Sequence, residues 1–256
     1  MLPSLSPITV RRAVEDALCE DMGLAGDVTS LATIPPTVQA RAVLNVREPG
    51  ILAGMEIAEA AFSALDSAIT FNKTAEDGQP VRAGQDIAVV VGPARAILSS
   101  ERVALNYLCH LSGIASYTTK FADLIKHTHA KVCCTRKTIP GLRSFEKYAV
   151  KCGGGKNHRM GLYDAYLIKE NQILACGSIQ AAVTKAREHH ADLPVEVEVE
   201  NIQELSQAIE AHADIVMLDN FDAAMLKQAV TVNNGQCKLE VSGNITIDRL
   251  KALAAL

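Results

Sequence analysis

The amino-terminal third of the chain mixes helical and strand-like spacings of hydrophobic residues. A helix is predicted over residues 8–22, where hydrophobic side chains recur on one face at helical spacing. Residues 38–53 alternate between hydrophobic and polar positions, as strands do. More strand-like runs follow as far as residue 98, each broken by glycine or proline. The pattern predicts an α+β domain over residues 1–98.

A helical pattern over residues 99–130 connects this domain to the remainder of the chain. Ser112-Gly113 interrupts the pattern, which predicts two helices rather than one. Arg102 falls in the first predicted turn, where the helix macrodipole mildly disfavours a cation. That position hints at a role beyond stability, although a solvated surface arginine is the simpler interpretation.

Strands alternate with helices from residue 131 onward. Each of five short hydrophobic runs precedes a helical pattern, and these runs begin near residues 132, 167, 195, 214 and 238. Repeated strand–helix units imply parallel strands joined by right-handed crossovers. A β/α barrel over residues 131–256 is the favoured interpretation, and an open doubly wound sheet is the alternative.

Each predicted strand in this half ends in polar residues. They are Arg136, Lys137, Lys169, Asn171, Glu198, Glu200, Asp219, Asn220, Ser242 and Asn244. Both barrels and open parallel sheets bind ligands at the carboxyl ends of their strands. The mixture of cations and carboxylates suits an anionic substrate together with a divalent cation held by acidic oxygens.

One predicted strand carries three glutamates on a single face, Glu196, Glu198 and Glu200. Three carboxylates cannot all be buried without partners, because an isolated buried charge is costly. Either this strand lies at an edge with a solvated acidic face, or at least one glutamate points into the site.

Positive charge is concentrated in residues 131–171. This segment holds nine Lys and Arg against three Asp and Glu, whereas the rest of the chain holds 16 and 26. A basic segment in an acidic protein suits a small anionic ligand, although charge alone also fits a solvated basic face. Glycines interleave the cations, and the run Gly153–Gly155 is predicted to let the backbone approach a ligand closely.

The same segment does not fit two common anion-binding classes. A nucleotide P-loop is excluded because Val150 and Asn157 occupy positions that require glycine and Ser or Thr. Nucleic acid is disfavoured because the rest of the chain is acidic, tryptophan is absent and the segment lacks the aromatic pattern of a stacking surface. We therefore expect no nucleic-acid partner.

Hydropathy and cysteine usage bear on the location of the protein. No run reaches the roughly 18 apolar residues that span a bilayer, and the first residues do not predict a secretory signal. The seven cysteines form no CxxC pair, which is typical of reduced, mostly buried thiols. We expect a cytoplasmic protein that has no membrane partner.

Two long blocks, TRKTIPGLRSFEKYAV and GGGKNHRMGLYDAYLIKEN, resemble the quinolinate phosphoribosyltransferase family. Shorter stretches, from EDMGLAGDVTS to EVSGNIT, extend the resemblance in the family's order from residue 20 to residue 246. The resemblance implies an α/β protein in which the N-terminal α+β domain precedes an incomplete parallel β/α barrel. It also implies a homodimer or dimer-based hexamer with shared active sites. The implied reaction joins quinolinate to phosphoribosyl pyrophosphate and gives nicotinate mononucleotide, pyrophosphate and carbon dioxide in NAD biosynthesis.

The resemblance also implies roles for the positions that match the family's motifs. The residues expected at the two quinolinate carboxylates are Arg136, His158, Arg159 and, from the neighbouring subunit, Arg102. The other expected substrate contacts are Thr135, Lys137, Lys169, Glu198, Asp219, Ser242 and Gly243, the last two at the 5′-phosphate. The implied catalytic residues are Lys137, Lys169, Glu198 and Asp219. The implied cofactor is Mg²⁺, held with phosphoribosyl pyrophosphate by Glu198 and Asp219.

Two other functions compete with this interpretation. A related phosphoribosyltransferase that acts on another pyridine or pyrimidine acid would use the same cationic residues. A catalytically inactive protein that binds an anionic metabolite would need the cations, but it would not need the acidic strand ends.

The carboxy-terminal end departs from the family's pattern. The family continues with a further strand and helix after the last predicted helix, whereas this chain stops at Leu256. We therefore expect the native protein to contain residues beyond Leu256.

Overall fold

The structure, a computed structural model, describes Leu2 and residues 4–253. It divides the chain into two compact units, residues 1–158 and residues 159–256. The predicted domain boundaries at 98 and 130 both fall inside the first unit. The last three residues of the final predicted helix, 254–256, lie outside the described residues.

The first unit has α+β architecture. Its described elements are α1 (Pro7–Met22), α2 (Val28–Thr33), β1 (Gln39–Asn45), β2 (Gly50–Ile51), α3 (Met55–Leu65), β3 (Thr70–Lys73), β4 (Pro80–Val81), β5 (Asp86–Pro93), α4 (Ala94–Ile125) and α5 (Arg143–Cys152). Strands β1 and β3 pair antiparallel with the two edges of β5, and β2 pairs antiparallel with β4. These elements confirm the α+β class that was predicted for the amino-terminal part of the chain.

Helix α1 forms from the hydrophobic face that the sequence predicts. Val10, Val14 and Leu18 are buried in one core cluster with residues of α3. Gly23 ends the helix, and its N–H donates to the Cys19 carbonyl at 3.0 Å. Burial of one apolar face stabilises a helix of this length far more than intrinsic propensity does.

Helix α4 is continuous, so the predicted break at Ser112-Gly113 is wrong. Tertiary contacts explain the continuity: the Ser112 hydroxyl accepts from Ala53 N at 3.0 Å and donates to Ala53 O at 3.2 Å. Buried residues Leu111 and Ala115 carry the hydrophobic face across the glycine. Because α4 begins at Ala94, Arg102 lies in its third turn, and the macrodipole argument for that residue does not apply.

The glycine run Gly153–Gly155 packs against α4. A Cβ at Gly153 would lie 2.3 Å from the Ala115 carbonyl oxygen, and one at Gly155 would lie 2.9 Å from the Thr118 methyl carbon. The Thr119 hydroxyl also donates to the Gly153 carbonyl at 3.0 Å. These contacts give Gly153 and Gly155 a packing role against α4.

The second unit contains the parallel strand–helix repeats. Its described elements are β6 (Tyr166–Ile168), α6 (Glu170–Cys176), α7 (Ile179–His189), β7 (Val195–Val199), α8 (Ile202–Glu210), β8 (Ile215–Asp219), α9 (Ala223–Asn233), β9 (Lys238–Ser242) and α10 (Ile247–Leu253). The strands pair in the order β6–β7–β8–β9, and each pairing is parallel. In the part of the unit that the structure describes, the sheet does not close, as expected for an incomplete barrel.

The predicted strand near residue 132 is absent from this sheet. Within the first unit, that segment makes only an isolated parallel bridge between Cys133 and Lys156. Cys134 N donates to Lys156 O at 3.0 Å, and the chain then turns, because Thr138 N donates to the Arg136 carbonyl at 2.9 Å. The prediction of five strands is therefore wrong by one among the described residues.

Among residues 2 and 4–253, no helix combines the length and the hydrophobicity that are needed to cross a membrane.

Candidate active site

The carboxyl ends of β6 and β7 bring two predicted catalytic residues together. Lys169 follows β6 and is the N-cap residue of helix α6. Its backbone N–H donates to Gln172 Oε1 at 3.1 Å, a contact that helps to cap the start of this helix. Its ammonium forms an ion pair with Glu198, a half-buried residue of β7. Ile168 and Val197 are paired in the parallel sheet, and Lys169 and Glu198 are the residues that follow them. This register explains why the two side chains meet.

The next two strands end at Asp219 and Ser242, which are paired in register. The Asp219 carboxylate accepts a hydrogen bond from the Asn220 side chain at 2.9 Å. Asn220 N donates to the Ser242 carbonyl at 3.0 Å. We name the set Lys169, Glu198, Asp219 and Ser242 the carboxyl edge. One edge of the sheet thus carries a cation, two carboxylates and a hydroxyl.

Gly243 is required by the geometry of this edge. Its φ is 90°, and a Cβ there would lie 2.1 Å from Asn220 Oδ1. Asn220 itself has a left-handed φ of 56°, a conformation that asparagine tolerates better than most residues. The Arg249 guanidinium donates to the carbonyls of Gly243 and Phe221, the latter at 2.8 Å. These contacts hold the chain after β8 and the chain after β9 in one arrangement.

The three glutamates that were predicted to share one strand face have different environments, and Glu200 lies just after the end of β7. Glu196 is only 3% exposed, Glu198 is half-buried, and Glu200 is exposed. Strand β7 lies between β6 and β8, which rules out an edge strand with a solvated acidic face. Glu198 is therefore the glutamate that the carboxyl edge presents.

In the first unit, Thr135–Thr138 forms a compact turn that we name the TRK turn. Lys137 N donates to the Thr135 hydroxyl at 3.0 Å. The Nε atom of Arg136 is buried and has no hydrogen-bond partner among the described residues. Buried donors are normally paired, so this atom marks a place where a ligand carboxylate would complete the bonding. Lys137 is exposed.

The other residues that were predicted to contact the substrate, His158, Arg159 and Arg102, lie in different environments. The backbone carbonyl of His158 accepts a hydrogen bond from Lys147 at 2.8 Å. In the second unit, Arg159 Nη1 donates to Ala165 O at 3.3 Å. Arg102 is exposed on α4, and no hydrogen bond or ion pair links it to another residue within the described part of the chain. An arginine with this exposure is available to a ligand or to a second subunit.

The cysteines only partly match the prediction of mostly buried thiols. All seven are free, but among the described residues only Cys152 is buried, and Cys19 and Cys109 are exposed. Burial, with a smaller contribution from the nearby Asp77 carboxylate, raises the pKa of Cys152 to about 12. The thiolate is the reactive form of cysteine, so Cys152 is an inert structural thiol.

Asp77 is the centre of a structural network in the first unit. Its carboxylate accepts from Gly54 N and Met55 N at the start of α3, and from the Tyr148 hydroxyl at 2.7 Å. Burial, and then the hydrogen bond to Asp77, raise the pKa of Tyr148 far above its usual range. The tyrosine therefore remains a neutral donor that ties α5 to α3.

A cavity of about 330 Å³ lies elsewhere in the first unit, next to the carboxyl ends of α4 and α5. None of the predicted site residues lines it. The candidate residues lie instead at the carboxyl ends of strands and in an exposed turn, outside this cavity.

The carboxyl edge has donors of the kind that Mg²⁺ prefers. Glu198 and Asp219 provide hard carboxylate oxygens, and Ser242, in register with Asp219, adds a hydroxyl. This donor chemistry fits a magnesium ion that keeps several waters and substrate oxygens in its coordination sphere.

Sequence reasoning missed three residues that organise these segments. Glu146 and Lys147 are buried polar residues of α5, and Arg249 binds the carbonyls beside the carboxyl edge. Lys147 looked like one more cation of the basic segment, since nothing in the local pattern distinguishes a buried lysine from an exposed one.

The parallel sheet and its carboxyl edge have the architecture of β/α enzymes, which bind their substrates at the carboxyl ends of the strands. Sequence profiles for the quinolinate phosphoribosyl transferase N-terminal and C-terminal domains match residues 27–112 and 114–256. The probable nicotinate-nucleotide pyrophosphorylase [carboxylating] of Bacillus subtilis (strain 168) is 40% identical over 249 residues, covering 97% of this chain and 86% of the relative. A chloroplastic relative from Oryza sativa subsp. japonica is 40% identical over 271 residues, covering 98% of this chain and 72% of the relative.

Solved structures agree with the sequence profiles. NadC from Streptococcus pyogenes superimposes with a TM-score of 0.95 at 38% identity, covering 99% of this chain and 90% of that one. The nicotinate-nucleotide pyrophosphorylase from Francisella tularensis gives a TM-score of 0.95 at 44% identity, covering 98% of this chain and 89% of that one. The chain belongs to the quinolinate phosphoribosyltransferase family.

Proposed function

We propose that the protein transfers the phosphoribosyl group of phosphoribosyl pyrophosphate to quinolinate, with loss of carbon dioxide, in NAD biosynthesis. The products are nicotinate mononucleotide, pyrophosphate and carbon dioxide. Relatives named nicotinate-nucleotide pyrophosphorylase [carboxylating] and quinolinate phosphoribosyltransferase [decarboxylating] support this reaction. The observation that carries the proposal is the Lys169–Glu198 ion pair, at strand ends that also present Asp219 and Ser242.

The carboxylates act on the sugar. Departure of pyrophosphate from the anomeric carbon leaves positive charge on the ribosyl group. Fixed carboxylates of Glu198 and Asp219 stabilise that charge, since preorganised groups need little rearrangement as the charge develops. Lys169 neutralises Glu198 before the substrate arrives, and it is available to the developing negative charge on the phosphates.

The cations recognise quinolinate. Arg136 and Arg159 each offer a guanidinium fork that suits a carboxylate, and His158 adds a further donor. Lys137 and Thr135, from the TRK turn, contact the phosphates and the pyridine acid. Arg102 of the neighbouring subunit completes the set. Two carboxylates on one ring therefore meet several fixed cations.

Decarboxylation follows from the same charge distribution. Once the ring nitrogen is bonded to the ribosyl carbon, the ring is cationic. The bond from the ring to the neighbouring carboxyl carbon breaks, its electron pair remains on the ring carbon, and that carbon takes up a proton. Cations beside the ring stabilise the charge that forms there.

Glu198 and Asp219 would hold Mg²⁺ together with phosphoribosyl pyrophosphate. The ion supplies charge neutralisation for the pyrophosphate leaving group when it is bound. Ser242 and the backbone of Gly243 position the 5′-phosphate, and the contacts of Arg249 hold that part of the chain in place.

We also propose that the protein forms a homodimer or a dimer-based hexamer in the cytoplasm. The exposed Arg102, which has no described partner on its own chain, supports a shared site. The absence of any disulfide among the described residues is in keeping with a reducing compartment.

The test is incubation with quinolinate, phosphoribosyl pyrophosphate and Mg²⁺, followed by separation and mass identification of the nucleotide. Nicotinate, which lacks the second carboxylate, and orotate, a pyrimidine acid, serve as matched alternative substrates. Nicotinate mononucleotide from quinolinate alone is expected. A larger kcat/KM for orotate would instead favour the related phosphoribosyltransferase, and quinolinate binding without turnover would favour an anion-binding protein.

A further inference from the structure

Lys147 is a buried cation on α5 whose contacts the proposed reaction does not use. The residue is 1% exposed. Its ammonium donates to Cys134 Sγ at 3.1 Å and to the His158 carbonyl at 2.8 Å. No carboxylate pairs with it within the part of the chain that the structure describes. A buried ammonium without a counter-ion is costly, so its presence points to a purpose other than stability.

The two acceptors of Lys147, Cys134 Sγ and the His158 carbonyl, lie in or next to segments that are proposed to bind substrate. Cys134 immediately precedes Thr135 of the TRK turn, and His158 is itself a proposed contact to quinolinate. The Cys134 thiol also donates to Asn157 Oδ1 at 3.5 Å. The ammonium therefore joins the entry to the TRK turn with the segment that carries His158.

The exit of the TRK turn is held by the same helix. The Glu146 side chain is 10% exposed, accepts from Ile139 N at 3.2 Å, and pairs with His110 of α4 at 2.9 Å. Arg143 Nε donates to the Thr138 hydroxyl at 3.0 Å. Adjacent helical residues project in different directions, so Glu146 and Lys147 reach opposite ends of the turn instead of pairing with each other.

We propose that Lys147 is a positioning residue for quinolinate binding, with Glu146 fixing the other end of the TRK turn. Lys147 holds the Cys134 side chain, at the start of the TRK turn, and the His158 backbone at one spacing, and its buried positive charge adds to the attraction for a dianionic acid. Misplacement of a binding group by about 1 Å can cost on the order of 100-fold in rate. This inference rests on the proposed function.

The test compares Lys147→Met with Lys151→Met, the same substitution one turn later on α5. Replacing Lys147 by Met removes the cost of burying a charge, but it leaves the His158 carbonyl without this donor. We therefore expect Lys147→Met to melt close to the wild-type temperature while the KM for quinolinate rises about 10-fold or more and kcat changes less. The Lys151→Met variant, which loses no hydrogen bond, keeps the wild-type KM.

A second pair of variants keeps the inference falsifiable if Lys147→Met does not fold. Cys134→Ala removes the sulfur acceptor, whereas Cys134→Ser restores a group that both donates and accepts. We expect a raised quinolinate KM in the first and its recovery in the second. An unchanged KM in both Lys147→Met and Cys134→Ala would overturn the inference. So would a fall in melting temperature accompanied by equal losses in kcat and kcat/KM, which would mark Lys147 as structural.

The two proposals fail in different ways. Absence of nicotinate mononucleotide with the wild-type protein would contradict the proposed function. An active wild type whose Lys147→Met variant binds quinolinate normally by calorimetry would contradict the positioning role alone.

Discussion

The Lys169 ammonium forms an ion pair with the Glu198 carboxylate at the carboxyl ends of neighbouring parallel strands. The pair is only partly shielded, since the Lys169 side chain is 47% exposed and that of Glu198 is 20% exposed. A partly exposed pair contributes little to stability. We therefore infer that the ion pair serves mainly to present a cation and a carboxylate to polyanionic substrates.

Lys169 and Arg136 should lose activity by different routes. Lys169→Met removes a charge that faces the reacting centre, so kcat should fall by about two orders of magnitude while quinolinate affinity changes little. Arg136→Lys keeps the charge but loses the guanidinium fork, so quinolinate affinity should fall about 10-fold or more. Calorimetric titration with quinolinate and steady-state kinetics separate the two effects. Equal loss of quinolinate affinity in both variants would contradict these assignments.

Gly243→Ala should damage phosphoribosyl pyrophosphate binding. The new methyl group would lie 2.1 Å from Asn220 Oδ1, so the chain after β8 or β9 must move. Gly235→Ala is the matched control, because Gly235 also has a positive φ, 76°, but has nothing within 4 Å of the added carbon.

Both substitutions place an alanine in a left-handed backbone conformation, which should lower the unfolding free energy by about 1–2 kcal/mol. Only Gly243→Ala should also raise the KM for phosphoribosyl pyrophosphate, by about 10-fold. Urea unfolding and initial rates measure the two effects. An equal KM in the two variants would show that Gly243 does not shape the phosphate contact.

Much of the fold follows from the spacing of hydrophobic residues. The helix face of Val10, Val14 and Leu18 is buried as predicted, and the four described parallel strands start close to the predicted positions. Their polar carboxyl ends were predictable because a strand that leaves the core ends in residues that tolerate solvent. The pairing of Lys169 with Glu198 then follows from parallel register.

The errors arise where tertiary contacts override local preference. Ser112-Gly113 resembles a helix break, yet the bonds of Ser112 to Ala53 keep α4 continuous. The run at 132 has the composition of a strand but finds only Lys156 as a partner. Burial of Lys147 depends on how α5 meets the chain around Cys134 and His158, which no local pattern records.

Arg102 should act on the active site of the neighbouring subunit. Arg102→Ala and Lys169→Ala are each expected to be nearly inactive as pure proteins. Mixing them under conditions of subunit exchange should restore up to roughly a quarter of the wild-type activity per site, because some dimers then hold one site with both native residues. Absence of recovery despite exchange shown by mass spectrometry would mean that Arg102 acts within its own chain or not at all.

The stability of the first unit should fall at alkaline pH because of Cys152. Burial holds its pKa near 12, above the ordinary value of 9.0, so the folded state keeps a proton that the unfolded state loses. Stability is then fully present below about pH 9 and declines as pH rises toward about 12. Cys152→Ala should flatten this decline in urea-unfolding free energy, whereas Cys109→Ala, which removes an exposed thiol, should not. Identical slopes in all three proteins would contradict the assignment.

The most direct test of the proposed reaction follows the carboxyl group itself. Quinolinate labelled with ¹³C at the carboxyl carbon next to the ring nitrogen is incubated with phosphoribosyl pyrophosphate, Mg²⁺ and the wild-type protein, with Lys169→Met as the control. We predict that labelled carbon dioxide and unlabelled nicotinate mononucleotide form in equal amounts, and that both become scarce with the variant. Label retained in a nucleotide product, or no release of labelled carbon dioxide by the wild type, would contradict the account.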